Sequence, residues 1–423
     1  MTQDERKGMT PGRFDRSKLG AQELAFPRGE YAAREAKLKK LLQRERIDLL
    51  WLTTPDAVAW LHGYVVSWYK ANAPMRYPQL YGTAVPANAS GLLHFDNPSE
   101  EAILARNSVV PETRFFNSRE PDEVLPFIVA ELQAKGWLKA GTRIGMEAWS
   151  YLPNHAIQQM LEKAFRAAGA EIVDASKITR EARRVKSAAE HEKIREAVAV
   201  CDIGHATIVK EMRPGMTELE LFGLVTAAMM KAGSGFPALI PIFNASPVID
   251  GEPQMLGHAM AGKHRLKEGE ILEADLCGVI DRYHGNLLRG HYLGEPPKKL
   301  VEKYRLAGGA FDVIKGECRA GQTQREVAAI LTRYYKECGL WDTTGWALGY
   351  ELGLSLPPDW VGDFYFNLRD VKPEYTERVF EPGMVTNFES LYGTALIDTL
   401  IWHEKGVEIL GTSKLALSSV AAR

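Results

Sequence analysis

The chain has 423 residues, too many for one ordinary domain and enough for two well-buried ones. Hydrophobic residues make up 45% and charged residues 25%, the proportions of a soluble globular enzyme. A net charge of −2 provides no field to attract nucleic acid or an anionic membrane. No apolar run is long enough to span a bilayer, and residues 1–17 have no apolar signal core, so a cytoplasmic location is expected. Cys201, Cys277, Cys318 and Cys338 are widely separated and form no CxxC pair, which reads as reduced thiols and argues against structural zinc.

Residues 1–28 read as a polar arm. From Tyr31 a helical pattern (Leu38, Leu41, Leu42) leads into a strand over 47–53. Further strands are predicted over 91–95, 101–105, 143–148 and 171–174. A helix over 153–169 carries Ile157, Met160, Leu161 and Phe165 on one face and closes at Gly169. Strands alternating with helices point to a small, mostly parallel α/β domain over 29–180. The basic stretch 180–186 then opens a long helix bearing Ile194, Ala197, Val198, Cys201, Ile208 and Met212, at the start of a second domain over 181–423.

That second domain contains an internal repeat. Met212-Arg-Pro-Gly-Met-Thr217 recurs 106 residues on as Cys318-Arg-Ala-Gly-Gln-Thr323, with Glu220 matched by Glu326 and Gly233 by Gly339. Each Thr-x-x-Glu is a capping box that satisfies amides of the first helical turn, and each Gly stands where a left-handed C-cap ends the helix. The strands repeat as well. Gly269 and Gly383 are each followed six residues later by a carboxylate, Asp275 and Glu389. A pseudo-twofold axis would point both acids into one cavity, which makes the pair a candidate site where either acid alone reads as an ordinary strand-end residue.

Taken with Trp60-Leu-His-Gly-Tyr64, the Arg183, Lys186, Ser187 and Glu190 pattern, Gly278-Val-Ile-Asp-Arg-Tyr-His284 and Gly349-Tyr-Glu-Leu-Gly353 running into Pro357-Pro-Asp-Trp360, the sequence resembles the pita-bread family of creatinase, ectoine hydrolase, prolidase and the methionine and proline aminopeptidases. The resemblance covers almost the whole chain and points to the ectoine hydrolase and creatinase branch. It implies a creatinase-like α/β N-terminal domain, an α+β pita-bread domain with a pseudo-twofold duplication, and a homodimer.

The family's metallopeptidases hold two metals with two aspartates, a histidine and two glutamates. Carried onto this sequence, those positions are Asp275, Asn286, Tyr350, Glu389 and Ile397, and a further peptidase histidine falls on Pro357. An amide, a phenol and an alkane do not neutralise two divalent cations, so no metal and no other cofactor is expected. A one-residue shift would restore ligands through Asp398 or Glu351, but a strand neighbour faces the opposite side. The family also places a histidine 17 residues before its first aspartate, and His258 occupies that place, as the acid/base group of creatinase-like members.

The expected substrate is a small nitrogenous molecule, since a planar amidinium or guanidinium meets a carboxylate bidentately. Tyr350 would assist at the reacting group, and Tyr283, His284 and Asn286 would line the pocket. Arg289 reads as support, His205 as structural, and Cys277 as either a weak nucleophile or a buried structural thiol. Trp68, Tyr69 and Arg76 lie in an aromatic loop that either closes a partner subunit's pocket or packs at the interface. The resulting expectation is a metal-independent C–N hydrolase of a small amidine, guanidine, urea or amide. The rivals are a metal-dependent Xaa-Pro peptidase or dimethylsulfoniopropionate-lyase-like enzyme with shifted ligands, and a non-catalytic binding protein. No phosphate-binding loop, dinucleotide fingerprint or nucleophile elbow is present, which disfavours nucleotide and serine-esterase chemistry.

Overall fold

The computed structural model describes residues 20–67, 80–118, 120–369 and 372–422, so Trp68, Tyr69 and Arg76 lie outside the described residues. The chain divides into two compact units between Arg183 and Arg184.

The first unit runs α1 (Arg28–Arg44), β1 (Leu49–Leu52), α2 (Pro55–His62), β2 (Gly82–Pro86), β3 (Leu93–Asp96), α3 (Glu101–Asn107), β4 (Glu112–Phe115), α4 (Pro121–Ala134), β5 (Arg143–Met146), α5 (His155–Ala167), β6 (Glu171–Asp174) and α6 (Ser176–Arg184). Its strands form one mixed sheet in the order β4-β3-β2-β1-β5-β6. Only β2 runs against its neighbours; β3–β4, β1–β5 and β5–β6 are parallel. The α5 face predicted from Ile157, Leu161 and Phe165 packs into the core with Leu49, Trp51 and Ile144. Residues 101–105, read as a strand, are helix α3. Only Leu104 of that segment is buried, so it lacks the two-residue alternation that a half-buried strand requires.

The second unit runs α7 (Ala188–Glu211), α8 (Glu218–Lys231), β7 (Phe243–Ile249), β8 (Glu252–Pro253), β9 (Glu270–Ile280), β10 (Tyr283–Leu293), α9 (Lys298–Glu317), α10 (Gln324–Glu337), β11 (Trp346–Tyr350), β12 (Phe364–Asn367), α11 (Pro373–Thr376), β13 (Val385–Leu391), β14 (Leu396–His403), β15 (Gly406–Ile409) and β16 (Ser418–Val420). A long sheet orders eight of these as β12-β11-β13-β14-β10-β9-β7-β8, with β15 paired to β14 and β16 to β10. This is the pita-bread architecture that the resemblance implied.

The duplication is structural. Thr217 and Thr323 each accept from the backbone N–H of the Glu three residues on, and the two helices they cap, α8 and α10, both have 14 residues. Gly233 and Gly339 adopt left-handed φ values of 102° and 79°, and the turn glycines Gly269 and Gly383 have 91° and 90°. The hairpins β9–β10 and β13–β14 meet where Leu288 pairs with Ile397, which places the pseudo-twofold between those residues.

Two glycines set how α7 lies on the first hairpin. Gly278 and Gly285 face each other across β9 and β10, and a Cβ on either would come within 2.0 Å of the Ala197 carbonyl oxygen or 2.6 Å of the Val198 amide nitrogen. The helix therefore rests directly on the strands, and Cys201, Val198 and Leu276 close the core around it. Asp281 and Arg282, at φ 48° and 71°, make the two-residue turn that fixes the β9–β10 register.

Candidate active site

Register alone assembles the site. Asp275 pairs with Leu288, Leu288 with Ile397, and Ile397 with Glu389, so a single row crosses β9, β10, β14 and β13. Residues directly opposite in an antiparallel pair share a face, so both acids stand on the same side of the sheet. One step along the strands, Asn286 pairs with Cys277 and Asn387 with Thr399, adding a second row to that face.

The two rows are joined by carboxamides. Asn387 accepts the backbone N–H of Tyr350 at 2.8 Å through Oδ1, which fixes the orientation of its amide. Its Nδ2 then donates to Glu389 Oε1 at 3.0 Å and to Asn286 Oδ1 at 3.2 Å. With its oxygen engaged, Asn286 donates through Nδ2 to Asp275 Oδ1 at 2.6 Å. The chain Asp275–Asn286–Asn387–Glu389 thus takes its polarity from one backbone amide.

Both acids are buried, and neither forms an ion pair with Lys or Arg among the described residues. Burial raises Asp275 to about 6, opposed by the Asn286 hydrogen bond. Burial raises Glu389 to about 8, the Asp275 charge adds to it, and Asn387 opposes it. At neutral pH this leaves Asp275 mostly ionised and Glu389 mostly protonated. Burial, with the two acids beside it, keeps the Tyr350 phenol neutral, and its oxygen accepts from Trp360 Nε1 at 3.2 Å.

The expected residues divide into those brought together and those set apart. Asp275, Glu389, Asn286 and Tyr350 share the site. His284 lies on the Asn286 face of β10, but its Nε2 accepts from the Ala238 amide at 3.0 Å and its Nδ1 faces the Arg282 carbonyl at 2.9 Å. Burial pushes it down to about 3, so it is a neutral wall residue whose ring lies tilted beside Trp360. Tyr283 is a correction: strand alternation turns it to the opposite face, where its hydroxyl donates to Glu190 of α7 at 2.8 Å. Cys277 faces the site, but burial drives its thiol far above the ordinary range, which makes it a structural thiol. His205 is likewise structural, held between His291 at 3.0 Å and the Leu287 carbonyl at 3.2 Å.

His258 sits on the exposed loop between β8 and β9 and makes no hydrogen bond among the described residues. The carbonyls on either side of it, of Gly257 and Ala259, accept from Asn244 Nδ2 at 3.5 and 3.0 Å. Asn244 belongs to β7, the strand that neighbours Asp275 through the bond from the Asp275 amide to the Ile242 carbonyl.

The donor set does not fit two divalent cations. Asn286 presents N–H rather than oxygen to Asp275, Ile397 fills its place in the row with alkyl, and Tyr350 offers a neutral phenol whose oxygen already accepts from Trp360 Nε1. Neither shifted ligand reaches the site. Asp398 lies under the sheet with Arg289 and the amides of Thr399 and Gly411, and Glu351 pairs with Arg184 at 3.1 Å. The sequence reading missed Asn387. Its signal was parity, since it stands two residues before Glu389 on a strand and therefore on the same face.

Fold and site together define a two-domain pita-bread hydrolase. The model of metallopeptidase family M24 matches residues 192–410, and that of the creatinase/prolidase N-terminal domain matches residues 34–185. The chain belongs to metallopeptidase family M24. An ectoine hydrolase from Halomonas elongata is 26% identical over 412 residues, covering 92% of this chain and 96% of that protein. A Xaa-Pro dipeptidase from Pyrococcus furiosus is 25% identical over 239 residues, covering 55% of this chain and 64% of that one. Among solved structures, a Xaa-Pro dipeptidase from Bacillus anthracis shares the fold with a TM-score of 0.73 at 20% identity, covering 92% of this chain and 100% of that chain.

Proposed function

We propose that the chain hydrolyses a C–N bond of a small amidine, guanidine, urea or amide without a metal, and that a cationic amidine or guanidine suits the site best. The observation that carries this reading is the pair of buried carboxylates, bridged by two carboxamides and lacking a counter-cation among the described residues. Buried carboxylates are costly without a partner, and a planar amidinium supplies both the charge and parallel N–H donors. The full-length similarity to an ectoine hydrolase supports the same class.

Asp275 and Glu389 grip the amidinium, whose charge releases the Glu389 proton to solvent as it binds. Tyr350 steadies the reacting group through its phenol. Water adds to the amidine carbon while His258 takes a water proton, then returns it to the departing nitrogen, a contribution typically worth 10²–10⁴-fold. An amidine yields an amide and a guanidine a urea, with the cleaved nitrogen leaving as an amine, or as ammonia where it is unsubstituted.

The similarity to Xaa-Pro dipeptidases favours a metal-dependent peptidase as the second reading. Turnover of small amidines, guanidines and Xaa-Pro dipeptides, measured before and after chelation, separates the two. Turnover of an amidine or guanidine that survives chelation and falls at least 10²-fold in His258→Ala upholds the first reading. Dipeptide cleavage that requires added Mn²⁺ or Zn²⁺ overturns it, as does full activity in His258→Ala.

A further inference from the structure

A second polar cluster lies beside the acid pair and takes no part in the steps above. Glu273 stands two residues before Asp275 on β9, hence on the same face of the sheet, and it pairs directly with Asn244 of β7. Ser246 follows Asn244 by two residues and shares that face. All three are at least 97% buried, at relative exposures of 3%, 1% and 1%. Each keeps one atom without a hydrogen-bond partner: Glu273 Oε1, Asn244 Oδ1 and Ser246 Oγ. Three orphaned oxygens on adjacent strands are unusual, because buried polar groups are nearly always paired.

Their chemistry points to one kind of guest. The Asn244 amide cannot turn round, since its Nδ2 holds the carbonyls of Gly257 and Ala259, so Oδ1 is committed as an acceptor. Glu273 contributes a carboxylate with no basic side chain beside it among the described residues, raised to about 7 by burial alone. Across β10 it faces Gly290, which adds no side chain; the Tyr304 hydroxyl closes that side, 2.1 Å from where a Gly290 Cβ would stand. A primary ammonium carries three N–H donors and one positive charge, which matches three acceptors of which one is an acid.

We propose that Glu273, Asn244 and Ser246 form a second subsite that takes a primary ammonium group of the substrate. The proposal rests on the reading of Asp275 and Glu389 as the grip on the amidine and adds the far end of the molecule. Two residues of strand separate the subsites, so the ammonium lies roughly 7 Å from the group that is cleaved. The substrate class is then a short chain with a primary amine at one end and the scissile C–N group at the other. Asn244 also ties the subsite to the loop of His258, so an occupied subsite steadies the loop that bears the acid/base group.

Isothermal titration calorimetry on the full chain compares 5-aminopentanamidine with pentanamidine, which lacks the amine. The amine is expected to tighten binding at least tenfold in the native chain. Glu273→Gln should bring the two Kd values together, and Ser246→Ala should narrow the gap while keeping the fold intact. Equal Kd values in the native chain, or a gain that survives Glu273→Gln, overturn the subsite and leave its oxygens to a bound water. Failure of pentanamidine to bind at all is instead the failure of the amidine grip. In that case n-pentylamine decides the subsite alone: binding lost in Glu273→Gln upholds it, and no binding to the native chain overturns it.

Discussion

Burial of Glu389 beside Asp275 weakens the fold as pH rises. Its carboxyl titrates near 4.5 when unfolded and near 8 in the native site, so the native state binds its proton more tightly. The stability this lends is fully present below pH 4.5 and is lost as pH rises through 8. Glu389→Gln keeps the Asn387 hydrogen bond and cannot ionise. Thermal unfolding followed from pH 5 to 9 should show the variant gaining on the native chain, by about 4 kcal/mol at the alkaline end. The same change should abolish turnover of a cationic amidine. In the native chain kcat/KM for that substrate should climb through pH 8, because the free enzyme must lose the Glu389 proton to accept a cation. A variant whose stability tracks the native curve at every pH would remove Glu389 from the buried pair.

At the scale of elements, the duplication was legible because caps and turns are local chemistry. Thr217 with Glu220 and Thr323 with Glu326 form the same box in the structure as in the sequence, and the glycines at both helix ends take the left-handed conformation that made them recognisable. Strand 101–105 was misread because propensity and a short apolar run do not separate a strand from a short helix with one buried residue. Tyr283 was misplaced for a different reason. Closeness to Asn286 in sequence does not set the face, because β10 sends alternate residues to opposite sides: Tyr283 reaches Glu190 while His284 joins the site wall. Since the two caps are equivalent, Thr217→Ala and Thr323→Ala should each destabilise by about 1 kcal/mol. Each should lower Tm by roughly 2–4 °C in a unit of this size, and the double variant should show the sum. A cost confined to one cap would mean that the repeats contribute unequally to the fold.

For the whole molecule, the family frame and the pair of acids could be read from sequence, but the chain of carboxamides between them could not. Asn286 to Asn387 spans 101 positions, and only the meeting of two hairpins at Leu288 and Ile397 brings their amides to 3.2 Å. That bridge decides how the protein should respond to metals, and thermal stability reports it without any assay of activity. A ligand that binds only the native state stabilises it by about 2.7 kcal/mol at a hundredfold excess over Kd. Relatives that hold two cations should therefore gain several degrees in Tm with Mn²⁺ or Co²⁺. This chain should gain nothing, because Asn286 offers N–H, Ile397 offers alkyl and Tyr350 offers a neutral phenol. Restoring the donors in Asn286→Asp, Tyr350→His and Ile397→Glu together should destabilise the metal-free protein, since it adds two more buried acids to an uncompensated pair. The triple variant should then recover with either cation, in proportion to the logarithm of its concentration. A native chain that itself rises several degrees with Mn²⁺, and loses the rise in Asp275→Asn, would place the cations where this account puts the substrate.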